Sequence, residues 1–224
     1  MKEVQPNRVL MIVAKRPAPG HTKTRLTPPL TPWQAANLYE AFLRDSLELI
    51  RHLPEIKPVI AYLPEGAQTY FHTLAPEFDL LLQQGNDLGS RLDNALQHYL
   101  AGCHKAAVIM NSDSPTLPVE YLSAAFRILE DGADLVLGPC EDGGYYLIGL
   151  KRPAPRLLRE VRMSTPTVTV DTLALAAQEG LRVTLLPQWY DVDDAASLQR
   201  LANELHNDGS LARHTRAALD ALGI

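Results

Sequence analysis

The sequence predicts an α/β fold: a mostly parallel β-sheet sandwiched by helices, in a single domain spanning residues 1–224. Three observations predict it. Short, continuous apolar runs such as residues 9–14 and 106–110 read as strands buried on both faces. Segments with helical periodicity alternate with these runs, and such alternation requires parallel neighbours joined by right-handed crossovers. At 224 residues the chain is long enough for one large core, and no linker, internal repeat or low-complexity stretch divides it.

The elements follow in order. After the first strand, Thr31, Pro32 and Gln34 form a capping-box pattern with proline at the first helical position. The helix they open reaches about residue 52 and carries Ala35, Leu38, Phe42, Leu49 and Ile50 as its apolar stripe. Residues 57–63 make a second strand, 65–74 a short helix and 78–82 a third strand. Asp87 caps a helix that stops at Gly102. The fourth strand, 106–110, leads to a helix from Pro118 to near Gly132. Strands at 135–137 and 145–150 come next, and a helix opened by Thr165 and Pro166 stops at Gly180. A seventh strand, 181–186, and helices at 195–206 and 210–222 complete the chain.

Composition narrows the function classes. Hydrophobic content of 46% and charged content of 21% are ordinary for a water-soluble protein. A net charge of −5 argues against a general nucleic-acid surface. No apolar run is long enough to span a bilayer, and residues 1–8 lack a signal-peptide core, so a cytoplasmic location is expected. The two cysteines, Cys103 and Cys140, have no paired-ligand spacing and are expected to be free thiols. The seven histidines are scattered, which argues against a zinc site. Nothing in the sequence sets the oligomeric state.

Against this acidic background the loop after the first strand carries four cations: Lys15, Arg16, Lys23 and Arg25. Pro17, Pro19 and Gly20 stiffen it and leave backbone N–H groups free, while Thr22 and Thr24 add hydroxyl donors. A rigid cationic loop at the end of a buried strand suits a phosphate-bearing ligand. It is not a Walker loop, because the Gly-x-x-x-x-Gly-Lys spacing is absent. Other unusual residues also fall just after strands, where open α/β sheets collect their ligands. Asp113 leaves the fourth strand between Ser112 and Ser114, a placement that suits a hard cation such as Mg²⁺. Ser112 and Ser114 read as local turn donors. Glu141, Asp142, Gly143, Gly144 and Tyr145 follow the fifth strand; the glycines serve either a close ligand approach or a hairpin turn. Asp191, Val192 and Asp193 follow the seventh strand, with Asp194 as a natural helix cap. Alternation puts Asp191 and Asp193 on opposite sides of an extended backbone, so that one of them can reach a cation held by Asp113. Gln84 and Gly85, after the third strand, offer amide and backbone groups to a nucleobase edge.

Four motifs together carry a resemblance. Lys-x-Pro-x-Pro-Gly-x-x-Lys-Thr-Arg-Leu at 15–26, Asp-Leu-Gly-x-Arg at 87–91, Ser-Asp-Ser-Pro-x-Leu-Pro at 112–118 and Asp-Gly-Gly-Tyr-Tyr-Leu-Ile-Gly-Leu at 142–150 resemble a bacterial family of GT-A-type glycosyltransferases, some assigned to arsenosugar biosynthesis. That family lies within the nucleotide-diphospho-sugar transferase superfamily, and the resemblance covers roughly residues 9 to 200. It implies a single-domain GT-A fold with the first loop around the nucleotide phosphates, through Lys15, Gly20, Lys23, Thr24 and Arg25. It implies Asp113 as the first ligand of Mg²⁺ (or Mn²⁺) and Asp193, in preference to Asp191, as the second. Gln84 matches the base-contacting position loosely, and Ser164 and Thr165 fall in the acceptor region with Gly143, Gly144 and Tyr145. Asn111 and Ser112 replace the superfamily's usual glycine before Asp113, Asp194 and Ala195 its usual Thr-Pro, and Met163 its usual Trp.

The chemistry expected is transfer from a nucleotide to a small-molecule acceptor, with Lys23 and Arg25 offsetting charge in the transition state. Nucleotidyl transfer from a nucleoside triphosphate to an acceptor phosphate needs no general base. Inverting glycosyl transfer from a nucleotide sugar needs one, for which Asp142 or Glu141 is the candidate. The reading from a different class is a nucleotide-binding regulatory module without turnover.

Overall fold

The structure, a computed structural model, describes residues 7–102 and 104–224. The thiol expected at Cys103 and the readings of residues 1–6 lie outside them. Seven strands form one sheet: β1 (Arg8–Lys15), β2 (Ile56–Leu63), β3 (Asp79–Leu82), β4 (Ala106–Met110), β5 (Leu135–Pro139), β6 (Tyr145–Leu150) and β7 (Val183–Leu185). Their spatial order is β3-β2-β1-β4-β6-β5-β7. All neighbours are parallel except β6, which runs antiparallel to both β4 and β5. The two glycines before β6 therefore do turn a hairpin between β5 and β6.

Helices α1 (Pro32–Arg51), α2 (Gln68–Leu74) and α4 (Val119–Glu130) cover one face of the sheet. Helices α3 (Leu88–Leu100), α5 (Arg156–Arg159) and α6 (Val168–Gln178) cover the other. Strand β1 shows why its run is apolar throughout: Leu10, Ile12 and Ala14 enter the first core, and Val9 and Met11 the second. Two short elements carry too little periodicity to be read from sequence, namely α5 and a 3-10 turn at Thr24–Leu26. Several expected boundaries move inward: α2 starts at Gln68 rather than residue 65, α6 at Val168, and the last helix, α8, spans Arg213–Leu222.

A third core lies behind the sheet's functional edge. There α1 meets α7 (Ala195–Asn207) and α8 around Phe42, Leu198, Leu201 and Leu219, and it also buries Leu26, Tyr190 and Val192. Ala212, before α8, has positive φ and no side-chain cap. The buried Asp45 carboxylate of α1 replaces that cap, accepting the His214 N–H at 3.0 Å and the Thr215 N–H at 2.7 Å. Hydrogen bonds to a charged group contribute about 1.5–3 kcal/mol each, so this contact stabilises the docking of α8 substantially.

Candidate active site

The carboxyl ends of β1, β4 and β5 lie on one edge, beside the point where the strand order reverses between β1 and β4. Ligands gather at such a switch point. Asp113, just past β4, and the segment 190–193, just past β7, meet there. The Val192 N–H donates to the Asp113 carbonyl at 2.9 Å. Asn111 Nδ2 and Ser114 Oγ each donate to Asp191 Oδ1 at 2.7 Å, and Ser114 Oγ also reaches the Tyr190 carbonyl at 3.1 Å. Ser114 keeps the local turn contact expected, to Asn111 Oδ1 at 3.4 Å, and is a long-range brace as well. Ser112 Oγ lies 2.8 Å from Tyr39 Oη, which accepts the Lys15 N–H at 3.1 Å and so ties β1, α1 and the end of β4 together. Burial, then the nearby Asp113 carboxylate, push the Tyr39 phenol up to about 12, so it stays neutral.

Lys23 is the hub. Its Nζ lies 2.5 Å from Asp113 Oδ1 and 2.9 Å from Asp193 Oδ1, and it donates to the Val192 carbonyl at 2.7 Å. Its side chain is only 5% exposed. Burial pulls its pKa down, but Asp113 and Asp193 together outweigh burial and raise it, so it is a cation at any ordinary pH. Arg25 Nη2 lies 2.5 Å from Asp193 Oδ2. Among the described residues no cation contacts Asp191; burial, then repulsion from Asp113, raise its pKa despite the hydrogen bonds from Ser114 and Asn111.

Two connected hollows flank this cluster, sharing Asn111, Asp113, Asp193 and Ser164 along their boundary. One, of about 510 Å³, is cationic and includes Lys15, His21, Lys23, Thr24 and Arg25. The other, of about 450 Å³, has an apolar floor that includes Leu92, Ile109, Ile148 and Val168, and a rim with Asp142, Gly144, Tyr145 and Thr165. Asp191 and Asp193, expected on opposite sides of the chain, border this same hollow while keeping different partners.

Most of the residues singled out in the sequence are therefore neighbours: Lys15, Lys23, Thr24, Arg25, Asp113, Asp142, Gly144, Tyr145, Ser164, Thr165 and Asp193 all line the two hollows. Three do not. Gln84 is exposed, with its carbonyl accepting from Asn94 at 2.7 Å; Gln83 lines the cationic hollow in its place. Gly20 and Gly85 border neither hollow, and both have positive φ in turns. Gly143, φ +89, stands behind the apolar hollow, where a Cβ would collide with the Pro166 carbonyl. Pro166 lies two residues beyond Ser164, itself at φ +60. Glu141 pairs with Arg200 at 2.7 Å outside the hollow, which leaves Asp142 as the carboxylate of the hairpin turn that faces it. Sequence reasoning missed Asn111 and Tyr39; their only signal was a polar residue at a strand end and a tyrosine on an otherwise apolar helix stripe.

The group of carboxylates suits a hard divalent cation. Asp113 and Asp193 already converge on one positive charge, and Asp191 stands beside Asp113 with a pKa raised by burial and then by that neighbour. Among the described residues, the tightest cluster of metal-binding side chains is elsewhere: Asp45, Glu48 and His214, already engaged by α8 and by Arg213.

Sheet order, helices on both faces and this paired hollow are those of an open α/β ligand-binding domain, and similarity to known proteins makes it a transferase of the nucleotide-diphospho-sugar superfamily. The chain belongs to the bacterial family DUF2064, described as "Uncharacterized protein conserved in bacteria", which matches residues 47–165. It is 30% identical over 200 residues to 2-phospho-L-lactate guanylyltransferase of Methanothermobacter thermautotrophicus, covering 86% of this chain and 83% of that protein. A crystal structure from Desulfovibrio desulfuricans G20, described as a "putative nucleotide-diphospho-sugar transferase", is 32% identical, with a TM-score of 0.89 over 96% of this chain and 94% of the other. CMP:2-keto-3-deoxy-manno-octonic acid synthetase, solved with CTP, shares the fold alone: 10% identity, with a TM-score of 0.60 over 90% of this chain and 99% of the other. No helix among the described residues is long and apolar enough to cross a membrane.

Proposed function

We propose that the protein is a divalent-metal-dependent nucleotidyltransferase, moving a nucleotidyl group from a nucleoside triphosphate to a small phosphorylated acceptor. The observation that carries this reading is the meeting of Asp113 and Asp193 on one cationic position beside a hollow rich in Lys and Arg. The relatedness to a guanylyltransferase supports it. The cationic hollow takes the triphosphate, and the hollow rimmed by Asp142, Tyr145, Ser164 and Thr165 takes the acceptor.

Asp113 and Asp193 would hold Mg²⁺ (or Mn²⁺), which when bound draws charge from the phosphate oxygens. An acceptor phosphate oxygen forms a bond to the α-phosphorus, the bond from that phosphorus to the bridging oxygen breaks, and pyrophosphate leaves. The attacking oxygen is already anionic, so no side chain has to remove a proton. Lys23 and Arg25 offset the negative charge that builds on the departing pyrophosphate. Lys15 adds a third cation on the same side.

The experiment is pyrophosphate release with Mg²⁺ and each nucleoside triphosphate, against a panel of phosphorylated hydroxy acids and sugar phosphates that starts with 2-phospho-L-lactate and GTP. Pyrophosphate that appears only with acceptor present is the expected result. Asp142 favours a second reading, since its carboxylate faces the acceptor hollow where an inverting glycosyl transfer would need a base. Release of nucleoside diphosphate from nucleotide sugars, with no pyrophosphate from triphosphates, would establish that reading instead.

A further inference from the structure

The cations of the cleft are not equally available to an incoming anion. Lys23 is held by Asp113 and Asp193, and Arg25 by Asp193. Two of the four cations of the loop after β1 are therefore spent on the protein's own acids. The same hollow is also lined by Arg91, from the first turns of α3 on a separate element. Its Nε is buried and donates no hydrogen bond. Burying a guanidinium donor without a partner is unfavourable, and such a group in a folded protein calls for a ligand.

The local structure fixes where Arg91 stands. Asp87 and Ser90 close a capping box at the start of α3, with Ser90 N–H donating to Asp87 Oδ1 at 2.7 Å. Gly89 packs so tightly on the Leu158 carbonyl that a Cβ there would collide with it. Leu92, the next residue, is buried in the core. A helix pinned at three successive points thus carries a guanidinium whose buried Nε has no hydrogen-bond partner among the described residues.

We propose that Arg91 is a phosphate-binding residue, donating from α3 to the triphosphate that the loop after β1 receives from the other side. The proposal deepens the nucleotidyltransferase reading and rests on it for the identity of the ligand. A guanidinium presents paired N–H donors that match a phosphate's oxygens, which an ammonium cannot do. Arg91 also accounts for the Asp-Leu-Gly-x-Arg motif: the first three positions build and seat the helix start, and the last binds.

The test is calorimetric titration of inorganic triphosphate and of the four common nucleoside triphosphates, with Mg²⁺, into wild-type protein, Arg91→Gln and Arg91→Lys. Unliganded melting temperature serves as the fold control. Affinity for inorganic triphosphate should fall by at least about tenfold in Arg91→Gln, with Arg91→Lys between it and wild type. The melting temperature of Arg91→Gln should stay close to the wild-type value, because the buried Nε makes no hydrogen bond and the attraction to exposed Asp87 is weak. Should Arg91→Gln fail to fold, Arg91→Lys carries the comparison, and an unchanged affinity in it overturns the paired-donor role. Equal affinity of Arg91→Gln and wild type for inorganic triphosphate overturns the proposal outright. The nucleotidyltransferase reading fails differently: triphosphates bind and depend on Arg91, yet no acceptor in the panel releases pyrophosphate. If wild type binds neither inorganic triphosphate nor any nucleotide, both fall.

Discussion

The Lys23 ammonium lies 2.5 Å from Asp113 Oδ1, and 2.9 Å from Asp193 on its other side. One side chain therefore holds the position between two acids that a divalent cation would take. It follows that Lys23→Met should bind Mn²⁺ more tightly than wild type without nucleotide, by roughly tenfold or about 1.4 kcal/mol, as seen by electron paramagnetic resonance. Triphosphate affinity should fall in the same variant. Unchanged Mn²⁺ affinity would mean that the ammonium and the metal use different positions.

Asp113→Asn and Asp193→Asn each leave the buried ammonium with one carboxylate. Removing one partner of a buried pair is costly, but both acids are about one-third exposed, so a loss of about 1–3 kcal/mol is expected for each. Urea unfolding would measure it. Mg²⁺ should raise the melting temperature of the wild type with nucleotide present and leave both variants unmoved. A normal Mg²⁺ response in either variant removes that aspartate from the proposed ligand set.

The buried carboxylate of Asp191 sets a pH dependence. Its folded pKa is raised above the ordinary 3.8, by burial and then by Asp113, so its ionised form costs stability in the folded state. That cost is absent below the unfolded pKa, grows as pH rises past it, and is complete above the folded pKa. Asp191→Asn should therefore melt higher than wild type at pH 7, with the gap closing as the pH is lowered toward 4. A gap independent of pH would contradict this assignment.

Gly143→Ala tests how the acceptor hollow is built. Its φ of +89 and the nearness of the Pro166 carbonyl both oppose a side chain. A loss of about 1–3 kcal/mol is expected. Because the displaced segment carries Ser164 and Thr165, the KM for acceptor should rise more than the KM for nucleotide.

The sheet and its main helices were legible because their signals are local. The apolar run of β1, the capping box at Thr31 and the cap at Asp87 each specify their element within a few residues. The candidate site was legible in its membership and less so in its wiring. That Asp113 would meet the 191–193 segment followed from both lying after strands. That Lys23 would bridge the two acids did not, since a contact across 170 residues depends on how the loop turns at the 3-10 segment Thr24–Leu26. The choice between Gln83 and Gln84 failed for a simpler reason: beyond the end of β3 nothing in the pattern fixes which way successive side chains point.

Val192, between the two late aspartates, is completely buried in the third core, the one that α8 completes through Asp45. Damage at the back of the molecule can therefore pass for damage to the chemistry. A substitution at Asp45 or Leu219, remote from every ligand, would slacken the anchor of Asp193 and weaken metal uptake. Cooling the assay or adding a stabilising osmolyte should restore such variants and leave true ligand mutants inactive.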